Sequence, residues 1–186
     1  AGLGGPLALK GSDHMVVGAL EHPQHAMERT ARALAFLAPV AASVKLIACA
    51  GSMGENAVRR AGLTCEVLLL AVHQPTTRQM TADAAHALLD RNIDLIVFAG
   101  GDGTARDIVE VVGQAIPVLG IPCGVKMHSG VFATTPESAG RLLRDFVEER
   151  EAVRLRTSEV MDIDEAELQS NRIAARLFGY ARTPHE

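Results

Sequence analysis

Four short apolar runs constrain the fold of this 186-residue chain more than any other feature. Each run is continuous rather than alternating, which is typical of a strand that is covered on both faces. Alanine-rich stretches with apolar residues at helical spacing lie before the first run, at 27–38, and between the second and third runs, at 82–91, where Thr81 is a candidate N-cap. Pro136 with Glu137 predicts the start of a further helix. This strand–helix repetition predicts an α/β fold with a doubly wound parallel sheet. The four runs are 44–50, 65–70, 94–99 and 116–121.

The two ends of the chain lack the continuous apolar runs that are found between them. Polar and apolar residues alternate over 153–163, which predicts a half-exposed strand, and 173–180 is a candidate for a second one. These strands are too few for an independent β domain. We therefore predict an α/β domain over 1–151 and the start of an incomplete, β-rich second domain over 152–186. A glycine loop at 2–5 has no strand before it, so we expect the natural chain to begin earlier.

Charge and composition exclude several classes of partner. Eighteen Lys and Arg against 22 Asp and Glu give a net charge of −4, without the basic excess that nucleic acid or an anionic membrane surface requires. The longest apolar run, 67–72, is far too short to span a membrane. Cys49, Cys65 and Cys123 lack metal-ligand spacing, and we expect the first two to be buried thiols. We therefore expect a cytoplasmic protein that binds neither nucleic acid nor membrane.

The strongest local signal is Gly-Gly-Asp-Gly-Thr at 100–104, between the third apolar run and a helical stretch at 105–112. Doubly wound folds bind ligands at such strand–helix joints. The glycines let the backbone approach a phosphate, and the helix N-terminus favours the anion. We expect Thr104 to cap the helix or to bond a phosphate oxygen, and Asp102 to orient Mg²⁺ or accept a hydroxyl proton. A tight turn is the plain alternative.

A second candidate site follows the fourth apolar run. Lys126, His128 and Ser129 lie in a loop that begins at Gly124, at the same predicted sheet edge as the glycine-rich segment. A cation, an imidazole and a hydroxyl together are suited to phosphate binding. The alternative is an exposed cluster at the start of a helix.

Three further carboxylates are candidates for supporting roles. Asp107 lies near the start of the predicted helix, where it either arranges Asp102 or a metal or complements the helix dipole. Asp162 and Asp164 are two residues apart, so on a strand they share a face and could hold Mg²⁺ or a ribose hydroxyl. A solvated strand edge is the alternative. No metal-ligand set follows from the sequence.

The segment at 100–104 resembles the GGDGT signature shared by NAD kinases, by diacylglycerol- and sphingosine-type lipid kinases and, in variant form, by phosphofructokinases. The P-loop and GxGxxG patterns are absent from the chain. The passage at 117–133 matches neither the lipid-kinase pattern nor the NAD-kinase pattern for that position. Together with 2–13, 100–107 and 159–165, it is similar to a third branch, the ATP-NAD-kinase-like proteins that include an acetoin-catabolism-associated group.

This resemblance implies a phosphofructokinase-like first domain, a β-rich second domain and an active site in the cleft between them. Asp102 matches the residue that activates the acceptor hydroxyl. The segment at 161–165 departs from the Asn-Glu pair that NAD kinases carry there. A homo-oligomer is implied by the resemblance alone. The nucleotide- and phosphate-binding positions that the resemblance implies are Gly2, Gly4, Gly5, Gly100, Gly101, Gly103 and Thr104.

The sequence and the resemblance together predict a small-molecule kinase that uses Mg²⁺ and ATP, or polyphosphate, with NAD as the first candidate acceptor. A lipid or polyol acceptor is the first alternative, and it requires an apolar groove in the second domain. A nucleotide-binding regulatory module without turnover is the second. In that case ATP binds, no phosphate moves, and Asp102→Asn leaves the affinity nearly intact.

Overall fold

Helices and strands alternate along the chain in the computed structural model, which describes residues 25–70, 76–123, 127–149, 153–163 and 175–185. Short 3₁₀ segments follow the first helix and the first strand, at Ala35–Ser43 and Gly51–Met53. In chain order the other elements are α1 (His25–Leu34), β1 (Ile47–Cys49), α2 (Glu55–Arg60), β2 (Glu66–Leu68), α3 (Arg78–Leu89), β3 (Ile96–Gly100), α4 (Asp102–Val112), β4 (Val118–Pro122), α5 (Pro136–Glu148), β5 (Arg154–Ile163) and β6 (Ala175–His185).

The first four strands form parallel pairs, and the predicted α/β fold is confirmed. β1 pairs with β2, and β3 pairs with β4 in a register that runs from Ile96 opposite Val118 to Gly100 opposite Pro122. Within the described residues these two pairs are not hydrogen-bonded to each other. A cavity of about 140 Å³ is lined both by Cys49 at the end of β1 and by consecutive residues of β3. The predicted sheet is therefore interrupted between β1 and β3.

Helices cover both faces of β3, as its continuous apolar run predicts, whereas β2 is partly exposed. In β3, Ile96 and Phe98 pack into a core with α4, whereas Val97 and Ala99 pack against the core that α1 and α5 share. Gly140 lets α5 approach α1 closely, because a Cβ at this position would lie 2.6 Å from the backbone oxygen of Ala33. The two helical layers hold the strands rigidly, and the ends of β3 and β4 are the edge on which a site can be built.

β5 and β6 form an antiparallel hairpin that packs against this α/β unit. The predicted alternation is found only over 157–160 of β5, where Ser158 and Val160 are buried while Thr157 and Glu159 are exposed; over 154–156 every residue is exposed. Val160 belongs to the same hydrophobic core as α4. Within the described residues the hairpin is thus an added layer on the first unit, and the domain division at 151/152 stays a prediction. None of the described helices has the length and apolar character needed to cross a membrane.

Two helices begin earlier than the sequence pattern predicts. α3 begins at Arg78, because Thr77 rather than Thr81 is the N-cap: its hydroxyl accepts from the backbone N–H of Met80 at 3.3 Å. α4 begins at Asp102, three residues before the predicted start. The low helix propensity of Gly103 favours a loop in a sequence-based prediction, but the rest of α4 packs well enough to continue the helix through it.

Candidate active site

The site is built where β3 and β4 end side by side. The backbone N–H of Cys123, just after β4, donates to the carbonyl oxygen of Gly100 at 3.1 Å and ties the two strand ends together. α4 begins two residues after Gly100, and its N-cap, Gly101, has no side-chain cap hydrogen bond. The N–H groups of the first turn of a helix have no intrahelical acceptor. They therefore present the positive end of the helix dipole at this edge.

Asp102 lies in the first turn of α4, whereas the sequence pattern placed it before a helix that begins at 105. Its side chain is nearly buried, with the residue 9% exposed. One carboxylate oxygen, Oδ2, accepts from the backbone N–H of His128 at 2.8 Å, and Oδ1 accepts from the backbone N–H of Ser129 at 2.9 Å. Two donors from a segment 26 and 27 residues away thus fix the orientation of the carboxylate.

The three glycines around Asp102 are present for different reasons. A Cβ at Gly100 would lie 2.5 Å from Oγ1 of Thr104, so packing within the motif excludes any larger residue there. A Cβ at Gly101 or Gly103 would meet no atom of the described residues within 4 Å, and neither glycine has a positive φ. Neither packing nor backbone strain therefore explains these two glycines. A bare backbone that faces open space is what the close approach of a phosphate requires.

Thr104 does not cap α4, because it lies inside the first turn and the N-cap is Gly101. Its side chain packs against Gly100 instead. Of the two roles predicted for Thr104, the structure therefore excludes the cap, and a bond to a phosphate oxygen stays a prediction.

The segment after β4 contributes its backbone to the site. His128 is half-buried, and its described contact with Asp102 is made by the main-chain N–H. The hydroxyl of Ser129, a residue that is 6% exposed, donates to the carbonyl oxygen of Met161 and accepts from the N–H of Met161, both at 2.9 Å. We predicted a phosphate ligand at Ser129, but its hydroxyl is buried against β5 and faces no open space.

Several predicted site residues cannot be placed. The structure gives only the backbone of Asp162, as part of β5. The remaining positions lie outside the described residues: Gly2, Gly4, Gly5, Gly124, Lys126 and Asp164.

Asp107 belongs to an ion-pair network beside the site and not to the site itself. The residue is 8% exposed, and Oδ1 of its carboxylate lies 3.1 Å from Nε of Arg78 and 3.0 Å from Nε of Arg106. Its described partners do not include Asp102. Burial raises the pKa of Asp107 and outweighs the opposite effect of the two arginines. The described contacts of Asp107 therefore do not support the predicted role of arranging Asp102 directly.

The raised pKa of Asp107 predicts that Asp107→Asn is no less stable than the wild type at pH 7. A carboxyl whose pKa is higher in the folded state gives stability at low pH, and this stability is lost as the pH rises through the folded-state pKa. Asn has no charge to desolvate, so the variant should lose this dependence. Urea unfolding from pH 4 to 7 measures it, with the exposed Asp83→Asn as the control. A large loss of stability at pH 7 would mean that the arginine pairs dominate.

Burial disfavours the thiolate form of two of the three cysteines. Burial raises the pKa of Cys123 to about 11 and also raises that of Cys49. Both residues are buried, whereas Cys65 is only half-buried, so the prediction of a buried Cys65 is wrong. In the part of the chain that the structure describes, no three His, Cys, Asp or Glu side chains cluster so as to hold a metal ion.

A comparison with protein families identifies the family to which this chain belongs. Residues 17–152 match the family described as the ATP-NAD kinase N-terminal domain. The chain belongs to the ATP-NAD kinase family. The resemblance that the motif at 100–104 indicates is thereby confirmed at the level of this family, while the narrower acetoin-associated branch stays a prediction.

Among curated proteins, the NAD kinase of Methanoregula boonei (strain DSM 21154 / JCM 14090 / 6A8) is similar to this chain. The two are 34% identical over 108 residues, which cover 55% of this chain and 36% of the relative. The aligned region thus spans about a third of the length of that curated protein. No solved structure matches the chain.

Proposed function

We propose that this chain forms the nucleotide-binding and acceptor-activating part of a kinase that transfers a phosphoryl group from ATP to NAD and yields NADP. The observation that carries the proposal is the fixed Asp102 carboxylate beside a glycine backbone that faces open space. The family match supports the class of reaction. The name of the Methanoregula boonei relative, NAD kinase, supports the acceptor.

The start of α4 is suited to the phosphates of the nucleotide. Main-chain N–H groups at Gly101 and Gly103 would donate to phosphate oxygens, and the absence of Cβ atoms lets those oxygens approach. The same donors and the helix dipole stabilise the negative charge on the phosphoryl group as it is transferred. Because these groups are held by α4 and β3, little reorganisation is needed when the charge develops.

Asp102 would act on the acceptor. The acceptor hydroxyl oxygen forms a bond to the γ-phosphorus, the bond from that phosphorus to the bridging oxygen of ADP breaks, and Asp102 takes the hydroxyl proton. Each carboxylate oxygen has two lone pairs, and the N–H groups of His128 and Ser129 occupy only one on each. A lone pair on each oxygen is thus left for the proton.

The Mg²⁺ ion is best treated as part of the nucleotide substrate. Protein-bound Mg²⁺ commonly uses one or two carboxylates together with substrate phosphates and water, and does not need a complete protein cage. Polyphosphate as donor, homo-oligomer formation and a cytoplasmic location remain predictions.

The full-length protein should form NADP when it is incubated with Mg²⁺, ATP and NAD. An enzymatic cycling assay specific for NADP measures the product, and a reaction without ATP is the blank. ATP that binds without any transfer to NAD would overturn the NAD assignment, and release of ADP with a lipid or polyol would then identify the acceptor. ATP that binds without turnover on any acceptor would favour the regulatory module.

A further inference from the structure

The buried hydroxyl of Ser129 is a polar group that the proposed phosphoryl transfer does not use. It both donates to and accepts from the backbone of Met161, as a neighbouring strand would. Next to it, the N–H of Gly130 donates to the carbonyl oxygen of Glu159 at 2.8 Å. Ser129 and Gly130 thus cover the edge of β5 that faces away from β6.

The side chain of Arg156 on β5 adds a further hydrogen bond between β5 and the segment that contains Ser129. The guanidinium of Arg156 donates from Nη2 to the carbonyl oxygen of Gly130 at 3.2 Å and from Nε to Oγ of Ser158 at 3.1 Å. A Cβ at Gly130 would lie 3.2 Å from Cβ of Ser158, so the two chains are in close contact there. The segment that contains Ser129 is therefore held against the hairpin by more than one bond.

The same residue reaches Asp102 through its main chain. The backbone N–H of Ser129 donates to Oδ1 of Asp102 at 2.9 Å, while its side chain holds Met161. One residue thus connects the carboxylate on α4 to Met161, near the end of β5. If the hydroxyl is lost, the N–H and the C=O of Met161 lose a buried partner, and the segment that orients Asp102 loses its attachment.

We propose that Ser129 is a positioning residue, whose hydroxyl holds the backbone donors of 128–129 in place and so sets the orientation of Asp102 for proton acceptance. This inference rests on the proposed kinase function for the role of Asp102. It makes the docked β5–β6 hairpin a requirement for efficient phosphoryl transfer and not for nucleotide binding.

The kinetic test compares Ser129→Ala with Ser129→Thr, which keeps the hydroxyl, and with Ser138→Ala. Ser138 is the matched control, because it is a similarly buried serine whose described hydrogen bonds stay within the start of α5 and reach neither Asp102 nor the hairpin. We expect Ser129→Ala to lower kcat by about 10- to 100-fold with KM for ATP nearly unchanged, since small displacements of a reacting group have effects of this size. Ser129→Thr should recover most of kcat, and Ser138→Ala should retain it.

A loss of stability alone would affect both alanine variants, so the melting temperature of each is measured beside kcat. Equal losses of kcat in Ser129→Ala and Ser138→Ala, or an unchanged kcat in Ser129→Ala, would overturn the positioning role.

A second readout is independent of turnover and remains informative if no NADP forms. In NMR spectra of the full-length protein, an amide proton that donates to a carboxylate resonates downfield. We expect the amide of residue 129 to show this shift in the wild type and in Ser138→Ala, and to lose it in Asp102→Asn and in Ser129→Ala. An unchanged shift in Ser129→Ala would overturn the inference, whereas a missing NADP product with the expected shifts would count against the proposed function alone.

Discussion

Asp102→Asn should lower kcat for NADP formation by about 10²- to 10⁴-fold, the range for loss of a general base. Asn has nearly the same shape but no carboxylate to take the hydroxyl proton. Its amide oxygen can replace only one of the two acceptor atoms that face His128 and Ser129, and its NH₂ group would oppose the other N–H. KM for ATP should change little, because the glycine backbone of α4 remains in place.

Steady-state kinetics with NAD and ATP give kcat and KM for this test, and Asp83→Asn is the matched control. Asp83 is an exposed carboxylate on α3, so its replacement removes the same charge away from the strand ends. Titration of ATP against both variants separates binding from turnover. Full activity in Asp102→Asn would remove this residue from the chemistry, whatever the family to which the chain belongs.

Gly103→Ala should affect stability and nucleotide binding in opposite directions. The free protein should become more stable by about 0.5–1 kcal/mol, because glycine in a helix is unfavourable and an added methyl meets nothing within 4 Å. The same methyl would occupy the space of the nucleotide phosphates. We expect KM for ATP to rise by about 5- to 150-fold, the equivalent of the 1–3 kcal/mol that overpacking costs.

Gly100→Ala is the contrasting variant for this prediction. It adds the same methyl, but against Thr104 at 2.5 Å, so it should lower stability as well as affinity. Thermal unfolding without nucleotide and ATP titration together distinguish the two variants. A Gly103→Ala protein that binds ATP normally would show that the open backbone at this position is not a phosphate site.

Local patterns were sufficient to predict most of the fold. The apolar runs became β1 to β4 because buried parallel strands have no polar face, and Pro136 with Glu137 correctly marked the start of α5. The start of α3 was missed because Thr77 and Thr81 are equally good caps in sequence, and only the extended backbone at Thr77 distinguishes them. The gap between β1 and β3 was not predictable, because strand order depends on contacts between distant segments.

The site was predicted in part for the same reason. Asp102 was identified because its residue type and its glycine neighbours are local information. The donors from His128 and Ser129 depend on contacts across 26 and 27 residues, and no spacing rule predicts them. The hydroxyl of Ser129 was assigned to a phosphate because nothing in the sequence indicated that β5 would lie against it.

β4 is the structural support of this site. All five of its residues are buried, it pairs with β3 on one side, and on the other Gly120 exchanges hydrogen bonds with Val131 and Ala133. Its amide protons should therefore exchange with solvent only when the whole unit unfolds, so their exchange rates report global rather than local opening. The segment at 127–130, which orients Asp102, is therefore anchored beside a strand that stays in place until the whole unit unfolds.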